Sequence, residues 1–345
     1  MYSIQHELSC KKHWDAIGKP LNSLGTLEKL IAQIGGIQHT TNVTLDKRAV
    51  LVLCADNGVV QEGVTQTDSS ITALNAKSIA QGTACINAFA QGAKADVIAV
   101  DVGINTDVDC TSLLRHKVAY GTKNIVHNPA MTRDEVEKSI QTGIDLVKMC
   151  KESGYQILCT GEMGIGNTTT SSAMASVLLN LPVESVTGRG AGLSDTGLEK
   201  KINAIKRAIA FNRPDEKDAK DVLMKLGGFD IAVMCGVFLG GEIHHIPIVI
   251  DGFISCVAAL TAQRISPSCR DFMLASHVGR EPACTLILQT LGTPACITAD
   301  LALGEGTGAV ALLPLLDLAL NVFHQSNTFD KLSMTAYTHY DGDNK

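Results

Sequence analysis

The sequence is poor in aromatic residues, with only 4% Phe, Trp and Tyr and a single tryptophan, and it carries no basic block. A surface that stacks nucleobases on rings and tracks phosphates with Lys and Arg needs both, so a nucleic-acid binder is excluded. Charged residues are also scarce, at 19% against 45% apolar, so the chain reads as globular rather than disordered. No Cys-x-x-Cys pair occurs among the eleven cysteines, and Cys54, Cys159, Cys235 and Cys256 sit in apolar runs. Such an odd, scattered set reads as reduced, buried thiols in a cytoplasmic protein, not as a disulfide framework. Residues 1–10 lack the apolar segment of a secretory signal. The longest uncharged stretch, residues 282–299, contains Gln289, Gly292 and Pro294, which fits a buried helix and turn and not a membrane span.

What the chain does have is a repeated syntax. Residues 49–54 form a continuous apolar run ending in Asp56-Asn57-Gly58; residues 96–100 end in Asp101-Val102-Gly103; residues 155–159 end in Gly161-Glu162; residues 246–250 end in Asp251-Gly252; residues 272–275 end in Ser276-His277. Unbroken apolar runs belong to strands covered on both faces, hence a parallel sheet. Helical patterns over residues 73–89 and 133–150 lie between runs, so the fold class is α/β, a doubly wound, mostly parallel, Rossmann-like sheet. Residues 1–45 have helical spacing instead. With residues from about 310 to 345 they are assigned to a smaller helical domain, leaving 46–309 as the large domain with the active site. The helix over 310–320 is expected to break at Pro314, 213–220 to be a polar link, and 326–345 to fray.

In such folds ligands bind at the carboxyl ends of the strands, where Asp56, Asp101, Glu162, Asp251 and His277 all fall. Each alone could be a turn former; together they mark a rim. The richest end is Gly161-Glu162-Met163-Gly164-Ile165-Gly166, which runs into Asn167-Thr168-Thr169-Thr170. Its glycines permit positive φ and close backbone approach, and the helix starting near Asn167 offers unpaired N–H groups, so this is an anion site suited to a phosphate. Glu162 would repel a phosphate in contact with it, so it must have a second task.

A second glycine-rich segment, Thr187-Gly188-Arg189-Gly190-Ala191-Gly192, precedes a helix carrying Lys200 and Lys201. It reads either as a loop over the ligand, with Lys201 pairing a phosphate as a point charge, or as a surface loop beside solvated lysines. Its spacing is not the dinucleotide fingerprint. Farther on, Glu305 lies between Gly304 and Gly306 and next to apolar residues. Partial desolvation would raise its pKa and make it a base near neutral pH; the alternative is a solvated loop carboxylate.

Taken in register, Gly161-Glu162-Met163-Gly164-Ile165-Gly166-Asn167-Thr168-Thr169, Gly188-Arg189-Gly190, Leu226-Gly227-Gly228-Phe229, Asp251-Gly252-Phe253, Ser276-His277, Glu281-Pro282 and Leu303-Gly304-Glu305-Gly306-Thr307-Gly308-Ala309 follow one order. The chain resembles the nicotinate-nucleotide:dimethylbenzimidazole phosphoribosyltransferase family from Lys19-Pro20 to about Leu320. The resemblance implies transfer of 5-phosphoribosyl from nicotinate mononucleotide to a cobamide lower-ligand base, giving an α-ribotide and nicotinate, with no cofactor and no metal. It implies Glu305 as general base and Glu162 as a second catalytic carboxylate. Gly164, Ile165, Gly166, Asn167, Arg189, Gly190, Lys201 and Asp251 would bind the donor and its phosphate; Ser70, Leu74, Met163 and Leu303 would form the acceptor pocket. It further implies a dimer, of two identical chains or with a paralogous chain. Leu74 stands where the family often has glutamine, Asn57 for histidine, Leu21-Asn22 for Pro-Gly, Gly279 for serine and Ala302 for arginine. These departures leave the acceptor open among benzimidazoles, purines and phenols. A phosphoribosyl-pyrophosphate enzyme is disfavoured because its acidic signature is missing, and a non-catalytic subunit because Glu305 is kept.

Overall fold

In a computed structural model, which describes residues 1–340, helices and strands alternate along nearly the whole chain. The order is α1 (Ile4–Ala16), α2 (Thr26–Gln38), β1 (Arg48–Ala55), α3 (Ser70–Ala80), α4 (Cys85–Gly92), β2 (Asp96–Gly103), β3 (Leu114–Arg115), α5 (Arg133–Glu152), β4 (Ile157–Met163) and α6 (Asn167–Leu179). Then follow α7 (Val183–Val186), α8 (Asp195–Asn212), α9 (Ala219–Leu226), α10 (Phe229–His244), β5 (Ile248–Ile250), α11 (Phe253–Ile265), β6 (Met273–Ala275), α12 (Ala283–Leu291) and α13 (Thr307–Gln325).

The six strands form one parallel sheet in the order β3-β2-β1-β4-β5-β6. The doubly wound α/β reading therefore holds, and the strand order reverses between β1 and β4. At such a switch point the loops diverge to opposite faces and leave a crevice. β1 shows why its sequence reads as an unbroken apolar run. Ala49, Leu51 and Leu53 join the cluster under α5, α6, α10 and α11, while Val50, Val52 and Cys54 join the one under α1, α2 and α13. All are fully buried, and each large side chain contributes roughly 1.5–3 kcal/mol by leaving water. The N-terminal helices and α13 thus share a single apolar cluster with one face of the sheet.

Four local expectations change. The helix read over 73–89 is two helices, α3 and α4, separated by Gly82 at φ +82. The polar link at 213–220 leads into α9, whose first turn is capped by Asp218 accepting from the backbone N–H groups of Lys220 and Asp221. α13 continues through Pro314, which is exposed, although proline removes the N–H that would bond the Val310 carbonyl. α13 is apolar and long enough to cross a bilayer, yet Leu312, Leu313 and Leu316 pack inward as core. The tail beyond α13 is partly docked: Phe329 is buried and its N–H donates to the Ala16 carbonyl at 2.9 Å. Residues 341–345 of that tail lie outside the described residues.

Candidate active site

At the switch point a cavity of about 300 Å³ opens between the carboxyl ends of β4 and β5 and the loops after β6. Glu162, Met163, Gly164, Ile165, Gly166, Asn167, Arg189, Gly190, Asp251, Leu303 and Glu305 all line it. Of the five polar strand ends, Glu162, Asp251 and His277 reach the cavity. Asp56 and Asp101 instead hold loop backbone, accepting from the N–H of Asn105 and from those of Gly103 and Ile104.

In the glycine-rich turn the two uses of glycine, positive φ and close approach, fall on different residues. Of its three, only Gly166 is left-handed, at φ +92. Gly161 and Gly164 are required by crowding: a Cβ on Gly161 would lie 2.5 Å from the Glu305 carbonyl, and one on Gly164 2.6 Å from the Ala55 carbonyl. α6 starts from Gly166 with no side-chain cap: the Asn167 N–H turns back to the Gly164 carbonyl at 3.1 Å, and the positive end of the helix dipole lies at the cavity wall formed by Gly166, Asn167 and Thr168. Lys201 stands behind this wall. Its buried ammonium donates to Thr168 Oγ1 at 2.9 Å and to the Gly188 carbonyl at 3.1 Å, tying α6 to the 188–190 loop. Burial pulls it down to about 8, against the opposing charge of Glu281.

Glu162 is the penultimate residue of β4 and nearly buried. Its Oε2 accepts a short hydrogen bond from Asn167 Nδ2, which also donates to Asp230 Oδ2 at 2.9 Å. Burial, reinforced by Asp230, Asp251 and Glu305, pushes Glu162 up to about 8. Asp230 is fully buried, its Oδ1 has no hydrogen-bond partner among the described residues, and burial pushes it up to about 6.

Glu305 sits at φ +60 between two left-handed glycines, Gly304 and Gly306. Asp251 holds that turn, accepting from the N–H of Gly306 at 3.2 Å and of Ala309 at 2.8 Å. Glu305 Oε2 accepts from the Ile86 N–H, in the first turn of α4, at 3.1 Å. Burial outweighs that bond and raises the carboxyl above its ordinary pKa. The Glu162 carboxylate reaches the turn that presents Glu305: a Cβ on Gly304 would lie 2.9 Å from Glu162 Oε1. Asp251, assigned to the donor from the resemblance, thus also fixes the backbone that presents Glu305.

The acceptor side needs correction. Leu74 is 60% exposed and does not line the cavity; Asn75 does, donating from Nδ2 to Met163 Sδ at 3.6 Å. On α3 the buried side is Thr72, Ala76 and Ile79, and at 100° per residue Leu74 falls on the opposite side. Ser70, the first residue of that helix, donates from its N–H and hydroxyl to Asp68 Oδ1 and is also outside the wall. Sequence reasoning missed Asp230, Arg280 and the task of Glu281, which accepts from the Gly190 N–H at 3.0 Å. No local signal marks Asp230.

An uncapped helix terminus for an anion, beside two desolvated carboxylates at a Rossmann-like switch point, defines a class: an enzyme that holds a phosphorylated substrate while positive charge develops on it. Comparison with known proteins narrows this. Residues 3–333 match the family model described as phosphoribosyltransferase. Nicotinate-nucleotide–dimethylbenzimidazole phosphoribosyltransferases of Acetivibrio thermocellus and Ruminiclostridium cellulolyticum are 42% and 41% identical, with 95% and 97% of this chain and 93% and 95% of theirs aligned. The crystal structure of that enzyme from Thermus thermophilus is 34% identical, with a TM-score of 0.90 over 97% of this chain and 100% of its own. The chain belongs to the nicotinate-nucleotide–dimethylbenzimidazole phosphoribosyltransferase family, and it is a phosphoribosyltransferase.

Proposed function

We propose that the chain transfers 5-phosphoribosyl from nicotinate mononucleotide to a ring nitrogen of 5,6-dimethylbenzimidazole or a closely related base, supplying the lower ligand of a cobamide. The observation that carries this is the reach of Glu162 to the turn that presents Glu305, beside the uncapped start of α6. The donor phosphate sits at the start of α6, against Gly166 and Thr168, with the Arg189-Gly190 loop beside it. Glu162 then faces the ribose. As the glycosidic bond breaks, C1′ becomes cationic and Glu162 stabilises it, while the pyridinium leaves as neutral-ring nicotinate without needing an acid. The base attacks from the opposite face, and Glu305 takes the proton from its second nitrogen, a role worth roughly 10²- to 10⁴-fold in rate. Met163, Leu303 and Asn75 form the acceptor wall.

The leucine-for-glutamine departure at position 74 no longer argues for an unusual acceptor, since Leu74 lies outside the cavity. The test is to incubate the purified chain with nicotinate mononucleotide and, separately, dimethylbenzimidazole, adenine, phenol and p-cresol, following nicotinate by chromatography. Release with dimethylbenzimidazole exceeding that with the others is expected; no release with any acceptor refutes the reading. The same reading includes a dimer, for which the exposed Leu74 on α3 and Leu303 at the cavity mouth supply uncovered apolar surface. Sedimentation at micromolar concentration giving a monomer mass would remove it.

A further inference from the structure

We propose that Arg280 holds the carboxylate of the donor's nicotinate ring, and so makes this site selective for the acid over the amide. This rests on the phosphoribosyl transfer proposed above. The donor then brings two anionic groups, a phosphate and a ring carboxylate, into a cavity that already carries several carboxylates. Desolvating an anion there demands a cation or a set of N–H donors for each.

The phosphate has the start of α6. The ring carboxylate must find its partner elsewhere, and the candidates are few. Arg189 is committed, donating to the Leu193 carbonyl at 2.8 Å and paired with Asp195. Lys201 lies behind Thr168, outside the wall. Arg280 lines the cavity, has an exposed guanidinium, forms no ion pair among the described residues, and makes one long bond, from Nη2 to the Asp300 carbonyl at 3.3 Å. Its backbone is fixed where its side chain is not: the Arg280 N–H donates to the Leu301 carbonyl, one step past the bridge between His277 and Ile297. The guanidinium therefore projects from a loop held by its backbone, with four N–H groups unused, a fork that matches a carboxylate.

The floor beside it suits a flat ring. Gly252, Gly279, Ala302 and Gly304 present almost no side chain, and a Cβ on Gly252 or Gly279 would sit 3.7 Å from His277 Nε2.

The test uses the whole chain with Arg280→Gln and Arg280→Lys, both at an exposed position that leaves the fold intact by circular dichroism. Arg280→Gln is expected to raise KM for nicotinate mononucleotide and Ki for free nicotinate about 10- to 100-fold, the scale for a charge-assisted pair. Ki for ribose 5-phosphate, which has the phosphate but no ring, should stay within about twofold. Arg280→Lys should recover part of the loss. Unchanged nicotinate inhibition, or an equal loss for nicotinate and ribose 5-phosphate, overturns the assignment. If the unaltered chain releases nicotinate and only the variant result fails, the reaction stands and Arg280 does not; if the unaltered chain releases none, both fall.

Discussion

Replacing Glu162 by Gln should make the unliganded protein more stable in alkaline buffer, and less active at every pH. In the folded chain Glu162 is buried against Asp230, Asp251 and Glu305 and is pushed up to about 8, from an ordinary 4.5. The sign follows from proton counting. Between those two pH values the folded state keeps the proton and the unfolded state loses it, so stability falls as pH rises. The contribution is fully favourable below about 4.5 and is lost as pH passes 8. The gap of about 3.5 units corresponds to about 5 kcal/mol at 1.36 kcal/mol per unit, an upper bound because buried groups relax when they ionise. Glutamine keeps an acceptor for Asn167 Nδ2 and cannot ionise. Urea unfolding of both proteins at pH 6 and pH 9.5 checks this, with linear extrapolation at constant ionic strength. The wild type should lose at least about 2 kcal/mol more than Glu162→Gln between the two pH values. Parallel pH profiles would show that Glu162 ionises freely in the folded protein, and the picture of a site with stored carboxylate repulsion would fail.

With the role proposed for Glu162, kcat/KM for the donor should climb with pH toward about 8; a flat profile from pH 6 to 9 would separate Glu162 from the chemistry. Removing the neighbouring charge with Asp230→Asn should shift that limb to lower pH, since Asp230 raises Glu162, and an unmoved limb would mean that the two do not sense each other. Glu305→Gln should lower turnover by roughly 10²- to 10⁴-fold with donor binding by calorimetry nearly unchanged; retained turnover would remove Glu305 as the base. Glu305→Gly should be about as inactive yet more stable to urea by roughly 1 kcal/mol, because glycine accepts the left-handed backbone that glutamate resists. Leu74→Gln should leave the ranking of acceptors unaltered while Asn75→Leu changes it, and the reverse pattern would return Leu74 to the pocket.

Much of this was legible from the residues, and the reasons differ by element. β1 could be read because both its faces are covered and every position had to be apolar. α6 could be read because a strand, crowded glycines and hydroxyl residues follow one another locally. Glu162 and Glu305 were visible singly as carboxylates among glycines, and the resemblance set them in one site. Three-dimensional placement was needed for the remainder. Leu74 lies outside the cavity, and its place in the sequence order says nothing of which side of α3 it occupies. Asp230 was hidden because a carboxylate at the start of a helix has an ordinary local explanation. Its burial comes from β1, β4 and α10 converging on it, a tertiary fact.

The glycines flanking Glu305 show what the site is built to do. Gly304, Glu305 and Gly306 are all left-handed, at φ +87, +60 and +90, and Asp251 holds them there with two accepted hydrogen bonds. A glutamate in that conformation costs on the order of 1–2 kcal/mol, and gathering it with Glu162, Asp230 and Asp251 in a poorly solvated crevice adds mutual repulsion. Neither cost serves the fold. The repulsion diminishes when a cation forms beside the carboxylates, because the charge on C1′ offsets theirs; the backbone cost is what holding Glu305 in place requires. A ground-state mononucleotide carries its positive charge on the pyridine ring, which departs, whereas in the transition state that charge moves to the sugar carbon facing Glu162. The interaction therefore grows as the bond breaks. Binding that strengthens along the reaction raises kcat instead of merely lowering KM, and a crevice of crowded carboxylates kept dry by glycine packing is a direct way to obtain it.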